Sequence, residues 1–183
     1  MSAPEGVIYR HTVEAFIQRV LLRRGLLSLE FDRELKALGV DASRPSEASL
    51  NVWIAMLKAT AKRLSPGRAE LDGLEDVGRE MLRGYVDGLV GKALFMVLRL
   101  SGPRRAMLRT MENYRTADSV TTVKATELGA ASIDLEFSSS FGVPTYVRGL
   151  LSETLVLLKV REPRVEFRDL ATGATVFNVS WTA

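Results

Sequence analysis

Three consecutive serines, Ser138 to Ser140, are the first residues of this sequence whose types suggest chemistry. A serine hydroxyl becomes a nucleophile when a neighbouring base removes its proton, and histidine is the usual base. The chain has one histidine, His11, far away in sequence, and no glycines flank the serines as they do in a nucleophile elbow. The sequence therefore disfavours a serine hydrolase. Two interpretations remain open: the rim of a ligand pocket or the end of a strand.

Thiolate chemistry and metal binding have little support. The chain has no cysteine, which excludes disulfides, thiolate metal sites and cysteine nucleophiles. The densest acidic group is Glu70, Asp72, Glu75, Asp76 and Glu80. Acidic residues are favoured in the first turns of a helix by its dipole, so we interpret this group as a helix start. We expect no metal, no cofactor and no catalytic residue.

Glycines at helical spacing form the next candidate site. Gly84, Gly88 and Gly91 lie on overlapping faces of one predicted helix, and each costs about 1 kcal/mol relative to alanine. A close approach by another helix or by a ligand would offset that cost. Gly84 and Gly88 are therefore candidate ligand-binding residues, with helix packing as the alternative.

A basic cluster offers a possible anion site. It consists of Arg99, Arg104, Arg105, Arg109 and Arg115. Pro103 suits a first helical position, where free backbone N–H groups already favour anions. We name Arg104, Arg105 and Arg115 as candidates for binding an anion or an acidic partner. The alternative is a solvated basic face paired with carboxylates.

Helical periodicity dominates the first two-thirds of the chain, after a short strand at residues 7 to 10. The predicted N-caps are Thr12, Ser28 and Ser46. The predicted helix ends are Gly25, Gly39 and Pro66. From Ser119 onward the period changes to that of strands, with one helix from about Pro144 to Val160 between two predicted hairpins. This order predicts an α+β fold, an N-terminal helical layer packed on a four-stranded antiparallel sheet.

Composition sets the remaining bounds. A chain of 183 residues, 46% hydrophobic and 26% charged, predicts a single domain over residues 1–183, mainly helical to 117 and sheet-containing from 118. A net charge of +3 gives no indication of nucleic-acid binding. The absence of cysteine, of a signal-like N-terminus and of a long apolar run predicts a cytoplasmic protein without a transmembrane segment. Apolar residues nearly surround the helix in "GLVGKALFMVLRL", which predicts a homodimer formed through Phe95 or Leu98.

The segments "GYVDGLVGKALFMVLRLSGPRRAMLRTMENYRT", "PTYVRGLL" and "FNVSW" resemble an uncharacterised protein family that is expanded as paralogues in myxobacteria. This resemblance runs over nearly the whole chain and implies no established activity. Residues 103 to 183, with "IDLEFSSSFGVPTYVRGLL", are more distantly similar to the heme-nitric-oxide-binding domain. That superfold also includes vinyl-reductase-type ligand domains and transport-particle adaptor subunits.

The distant resemblance carries a specific expectation for heme. The tyrosine-x-serine-x-arginine clamp of the heme family would fall on Phe137, Ser139 and Phe141, of which only the serine matches. The helix from Pro103 to Tyr114, where that family has its iron-ligating histidine, contains no histidine. The resemblance therefore implies the fold without heme.

These observations together predict a non-enzymatic domain that senses a small ligand or acts as an adaptor in signalling. The candidate ligand-binding residues are Ser139, Phe141, Tyr146, Gly84 and Gly88. The predicted partners are an apolar or anionic small molecule and a second copy or another protein. The alternatives are a protein–protein scaffold and an enzyme that acts on a small anionic substrate.

Overall fold

The structure, a computed structural model, describes residues 6–114, 116–140 and 142–182, without the side chains of residues 89, 90 and 110–114. The N-terminal elements are β1 (Val7–Ile8), α1 (Arg10–Phe16), a π-helical segment (Ile17–Leu22), α2 (Leu29–Ala37), β2 (Ala48–Ser49) and α3 (Leu50–Leu64). The central helices are α4 (Glu70–Asp87), α5 (Leu89–Ser101) and α6 (Pro103–Tyr114). The C-terminal elements are β3 (Val123–Gly129), β4 (Ser132–Phe137), α7 (Pro144–Leu157), β5 (Arg161–Asp169) and β6 (Thr175–Thr182). The predicted α+β fold is confirmed.

Helix boundaries agree with part of the capping prediction. Ser28 accepts a hydrogen bond from the backbone N–H of Phe31 at 3.2 Å and begins α2, as predicted. The other two cap predictions are wrong. Thr12 lies inside α1 and donates to the carbonyl of Ala117, and α3 is capped by Ser49 rather than Ser46. The reason at Ser46 is that residues 48 and 49 pair with β1, so the helix begins only after this strand.

The C-terminal part forms the predicted antiparallel sheet, with strand order β3-β4-β6-β5. Along β4, Ile133, Leu135 and Phe137 are buried, while the residues between them are partly exposed. This alternation places one face of the sheet against the helices. Phe137 contacts the ring of Phe177 on β6 edge to face, with ring centroids 5.2 Å apart.

The helical layer is attached to the sheet through a crossing of α4 with α7. At this crossing a Cβ on Gly78 would lie 3.0 Å from the amide nitrogen of Leu150, and a Cβ on Gly149 would lie 3.0 Å from the carbonyl carbon of Glu75. The two glycines therefore let the helix backbones approach closely. Ion pairs flank the crossing, including a bidentate pair in which the Nε and Nη2 atoms of Arg83 each lie 2.9 Å from the carboxylate of Glu153.

Helix α5, which contains most of the apolar segment "GLVGKALFMVLRL", buries one face and exposes another. Phe95 and Leu98 are 4% and 3% exposed and pack in a small cluster with Ala106 and Leu158. The prediction that these two residues form a dimer surface is therefore wrong, because α4, α6 and α7 cover them. Three other apolar residues of α5 are exposed: Met96, Val97 and Leu100. In the part of the chain that the structure describes, no helix is long and apolar enough to cross a membrane.

Candidate ligand-binding cavity

A cavity of about 480 Å³ lies between the helical layer and the sheet. Its wall is formed by β1, by α1 with the π-helical segment, by α3, α4, α5 and α7, by residues 116–121 and by the end of β4. Ligand pockets in proteins commonly have volumes of about 300–1,000 Å³. The cavity is thus large enough for a small organic molecule.

Most of the cavity wall is apolar. Representative side chains are Trp53, Leu82, Leu94, Phe95, Leu98 and Leu150. Trp53 is 3% exposed, and its indole contacts Phe16 and Tyr146 edge to face, with centroids 5.3 and 6.4 Å away. Such aromatic packing fixes ring orientation at the cavity surface.

Polar groups at one end of the cavity come from the segment that follows α6. Asp118 is 6% exposed, and its Oδ1 accepts hydrogen bonds from the backbone N–H groups of Val120 at 2.9 Å and Thr121 at 2.6 Å. These bonds fold the segment into a turn against α1, where the Thr12 hydroxyl donates to the Ala117 carbonyl at 2.9 Å. The hydroxyl of Thr121 is buried and has no hydrogen-bond partner among the described residues. A buried hydroxyl without a partner is costly, because it loses its hydrogen bonds to water on burial.

Arg19 is the cationic group of the opposite end. Its guanidinium carbon lies 4.4 Å from the centroid of the Tyr85 ring, a cation–π geometry. Desolvation by burial lowers the pKa of Arg19, and the interaction with Tyr85 opposes this shift. An arginine remains protonated at neutral pH despite such a shift. The cavity therefore contains a partly buried positive charge.

The two serines beside Ser139 have structural roles. The hydroxyl of Ser138 accepts from the backbone N–H of Thr122 at 2.9 Å and ties β4 to the start of β3. Ser140 accepts from the hydroxyl of Thr175 at 2.9 Å. Ser139, between them, lines the cavity. The strand-end interpretation therefore applies to Ser138 and Ser140, while the pocket-rim interpretation of Ser139 stays a prediction.

The predicted ligand-binding residues separate into three groups. Ser139 and Tyr146 line the cavity, and burial raises the pKa of the Tyr146 phenol far above its ordinary value. Gly84 and Gly88 do not line it. A Cβ on Gly84 would meet the backbone of Arg19, so this glycine serves helix packing, whereas Gly88 is the exposed residue that begins α5. Phe141 lies outside the described residues.

The predicted anion site lies away from the cavity wall. Arg104 forms an ion pair with Glu127 of β3, and both side chains are well exposed. Arg105 is exposed, and Arg115 lies outside the described residues. The alternative of a basic face paired with carboxylates therefore applies at Arg104, and an anion-binding role of this cluster stays a prediction.

The acidic group of α4 has arginine partners. Glu75 contacts Arg148 and Arg79, and Glu80 lies 2.8 Å from Arg23. Within the described ranges, no three histidine, cysteine, aspartate or glutamate side chains are grouped as metal ligands would be.

Sequence reasoning missed Arg19, Thr121 and Asp118. Arg19 is one of three arginines in "RVLLRRG", and what distinguishes it is that no carboxylate of the described residues pairs with it. The signal available for Asp118 was an aspartate two residues before an amide it could accept from, which is typical of an Asx turn.

A family described as "Protein of unknown function (DUF2378)" matches residues 6–182. The chain belongs to the DUF2378 family. No relative was found among curated proteins. Solved structures nevertheless share the fold of this DUF2378 protein over nearly its whole length.

Three such structures are H-NOX proteins. An unliganded Fe(II) H-NOX protein from K. algicida is 15% identical with a TM-score of 0.62, covering 96% of this chain and 97% of that one. A T. tengcongensis H-NOX variant is 15% identical with a TM-score of 0.65, covering 96% and 98%. An oxygen-binding H-NOX domain related to soluble guanylate cyclases is 13% identical with a TM-score of 0.68, covering 96% of each chain. At these identities the likeness shows that the DUF2378 chain has an H-NOX-like fold.

Proposed function

We propose that this protein binds an apolar small molecule in the cavity between its helical layer and its sheet, as a ligand-sensing or adaptor domain. The observation that carries the proposal is the cavity itself, about 480 Å³ with a mostly apolar wall. An apolar pocket with a few polar groups at its ends is typical of small-molecule sites. The H-NOX-like fold supports this function by analogy.

The proposed function does not include catalysis. His11 lines the cavity and its ring stacks on Tyr9, with centroids 5.9 Å apart. Asp118 is held by two backbone amides, and the chain has no cysteine. Among the described residues, neither His11 nor Asp118 is seen to hydrogen-bond a hydroxyl that it could activate as a nucleophile.

The proposed ligand is not heme. The clamp tyrosine of the distant relatives would stand at Phe137, which is 1% exposed and packs on Phe177 as part of the core. Phenylalanine has no hydroxyl for a propionate, and α6 offers no histidine for iron. The residues present thus do not fit heme held in that way. His11 is the remaining nitrogen donor at the cavity and is the residue to test.

The same proposal treats residues 1–183 as one domain that works in the cytoplasm.

A second candidate function, association with another protein or a second copy, is favoured by the exposed apolar face of α5. Leu100 and Met96 on that face are 85% and 67% exposed. Exposed apolar patches often mark interaction sites.

The experiment combines extraction with a binding assay. Purified protein is extracted for mass spectrometry and then titrated with the neutral fluorescent probe N-phenyl-naphthylamine. We expect saturable one-to-one binding. Ala15→Phe places a ring into the cavity and should weaken probe binding at least about tenfold, while Ala171→Phe in the exposed β5–β6 turn should leave it unchanged. Absence of both saturable binding and a co-purifying molecule would contradict the proposal.

Heme is tested separately by adding hemin and recording the visible spectrum. We expect no saturating Soret band. A one-to-one Soret band that disappears in His11→Ala would show that heme binds through this histidine, and the heme-free part of the proposal would be wrong.

A further inference from the structure

We infer that the ligand of this cavity is an apolar carboxylic acid, whose carboxylate pairs with Arg19 and whose apolar body lies along α1 toward Thr121. This inference rests on the proposed function, since it names the ligand class of the same cavity. The inference requires three features. They are a charge on Arg19 with no carboxylate partner among the described residues, an apolar wall for the body of the ligand, and a second polar group at the other end of the cavity.

The first step is that the described residues provide no anion for Arg19. Its contact is the face of the Tyr85 ring, and no carboxylate of the described residues pairs with it. Arg23, one turn further along the same helix, has two carboxylate partners, Glu80 at 2.8 Å and Asp87 at 2.6 Å. Carboxylates are therefore available nearby, and Arg19 alone of this pair faces the cavity. A partly desolvated guanidinium binds a carboxylate strongly, because it donates two parallel hydrogen bonds.

The second step is that the local backbone positions Arg19 at the cavity. Arg19 lies in the π-helical segment, where the Arg23 amide donates to the Gln18 carbonyl five residues earlier at 3.3 Å. Such segments shift the side chains that follow around the helix axis and are frequent at functional sites. Gly84 packs against the Arg19 backbone, so α4 can approach and bring Tyr85 over the guanidinium.

The third step is the second polar anchor. Thr121 lies in the cavity wall and is 6% exposed, and its buried hydroxyl has no hydrogen-bond partner among the described residues. Thr12, which bonds to the same turn, is seven residues before Arg19, about 10 Å along a helix that rises about 1.5 Å per residue. A molecule that reaches both ends is therefore elongated.

Asp118 is the carboxylate among the described residues of the cavity wall, and one of its oxygens already has hydrogen-bond partners. Two backbone amides donate to its Oδ1, and it lies at the Thr121 end. A ligand carboxylate would thus avoid Asp118 and pair with Arg19. A cationic ligand would bind less well, because Arg19 would repel it. To pair with such a ligand through Oδ1, Asp118 would have to give up its hydrogen bonds from the two backbone amides.

The test uses three probes with the same chain, decanoate, decanol and decylamine, measured by isothermal titration calorimetry. We expect decanoate to bind at least about tenfold more tightly than decanol, as a charge-assisted contact should produce. Arg19→Gln should remove this preference and leave decanol binding unchanged. Arg24→Gln, an exposed neighbour on the same helix that does not line the cavity, should leave both affinities unchanged.

The outcomes separate the inference from the proposed function. Equal binding of decanoate and decanol to the wild type, or a preference for decanoate that survives in folded Arg19→Gln, overturns the inference alone. Binding of none of the three probes overturns both. Near-ultraviolet circular dichroism establishes that Arg19→Gln is folded, and Arg19→Lys, which keeps the charge without the paired donors, should retain part of the preference.

Discussion

Gly149 allows the most direct test of the packing that holds the cavity wall. A Cβ built there would lie 3.0 Å from the carbonyl carbon of Glu75 and 3.2 Å from the amide nitrogen of Arg79. The Glu75 carbonyl oxygen would be closer still, and ordinary carbon contacts are about 3.5–4.0 Å, so Gly149→Ala must push α7 away from α4 by roughly an ångström or more. Overpacking of this kind costs about 1–3 kcal/mol or more.

The sign of the effect makes the prediction specific. In an exposed helix, alanine is more favourable than glycine by about 1 kcal/mol. We expect Gly149→Ala to lower the free energy of unfolding by about 2 kcal/mol net, which corresponds to about 4–8 °C in Tm for a chain of this size. The separation also stretches the ion pairs that cross the interface, such as Arg148 with Glu75.

Thermal and urea unfolding, followed by far-ultraviolet circular dichroism, measure this change. Gly88→Ala is the matched control, because its added Cβ would meet the Tyr85 carbonyl at an ordinary 3.5 Å. It should change the free energy of unfolding by less than about 1 kcal/mol. If Gly149→Ala is as stable as the wild type, the α4–α7 contact is not as close as described and the reasoning fails.

Three further predictions concern charge, pH and association. Glu153→Gln, measured by urea unfolding, should lower the free energy of unfolding by about 1–3 kcal/mol, because it leaves Arg83 without its buried bidentate partner. For Tyr146, an unfolded phenol ionises near pH 10 while the folded one stays neutral, so stability should fall as pH rises above about 10, and should fall less in Tyr146→Phe. If the exposed face of α5 mediates self-association, the Leu100→Glu variant should be monomeric by light scattering. A variant that keeps the mass of an associated wild type would contradict that role.

The fold was largely predictable because its elements are locally encoded. The caps at Ser28 and Pro103, the alternation along β4 and the change of period near Ser119 all indicate structure within a few residues of themselves. The short strand predicted at residues 7 to 10 is present as β1, but its partner β2 was not predictable, since a strand of two residues leaves no periodic signal. Its omission also led to the wrong cap at Ser46.

The candidate site was only partly predictable, because two of its residues stand out by having no ionic or hydrogen-bond partner among the described residues, which a sequence does not show. Ser139 and Tyr146 could be placed near the cavity from their positions at a strand end and on the following helix. Arg19 could not, since an arginine without a carboxylate looks the same in sequence as its paired neighbours. Thr121 is a similar case, because the lack of a hydrogen-bond partner for its hydroxyl among the described residues can be seen only in three dimensions.

Gly84 joins the stability of the helical layer to the proposed chemistry. Its missing side chain allows the Arg19 backbone to press against α4, and that approach brings the guanidinium over Tyr85 at the cavity. A larger residue at this position would move the π-helical segment and Arg19 together. Of the two explanations first considered for Gly84, the structure favours helix packing, and this packing places Arg19 at the cavity. Close packing is what would present the charge to a ligand, although the glycine itself would not touch it.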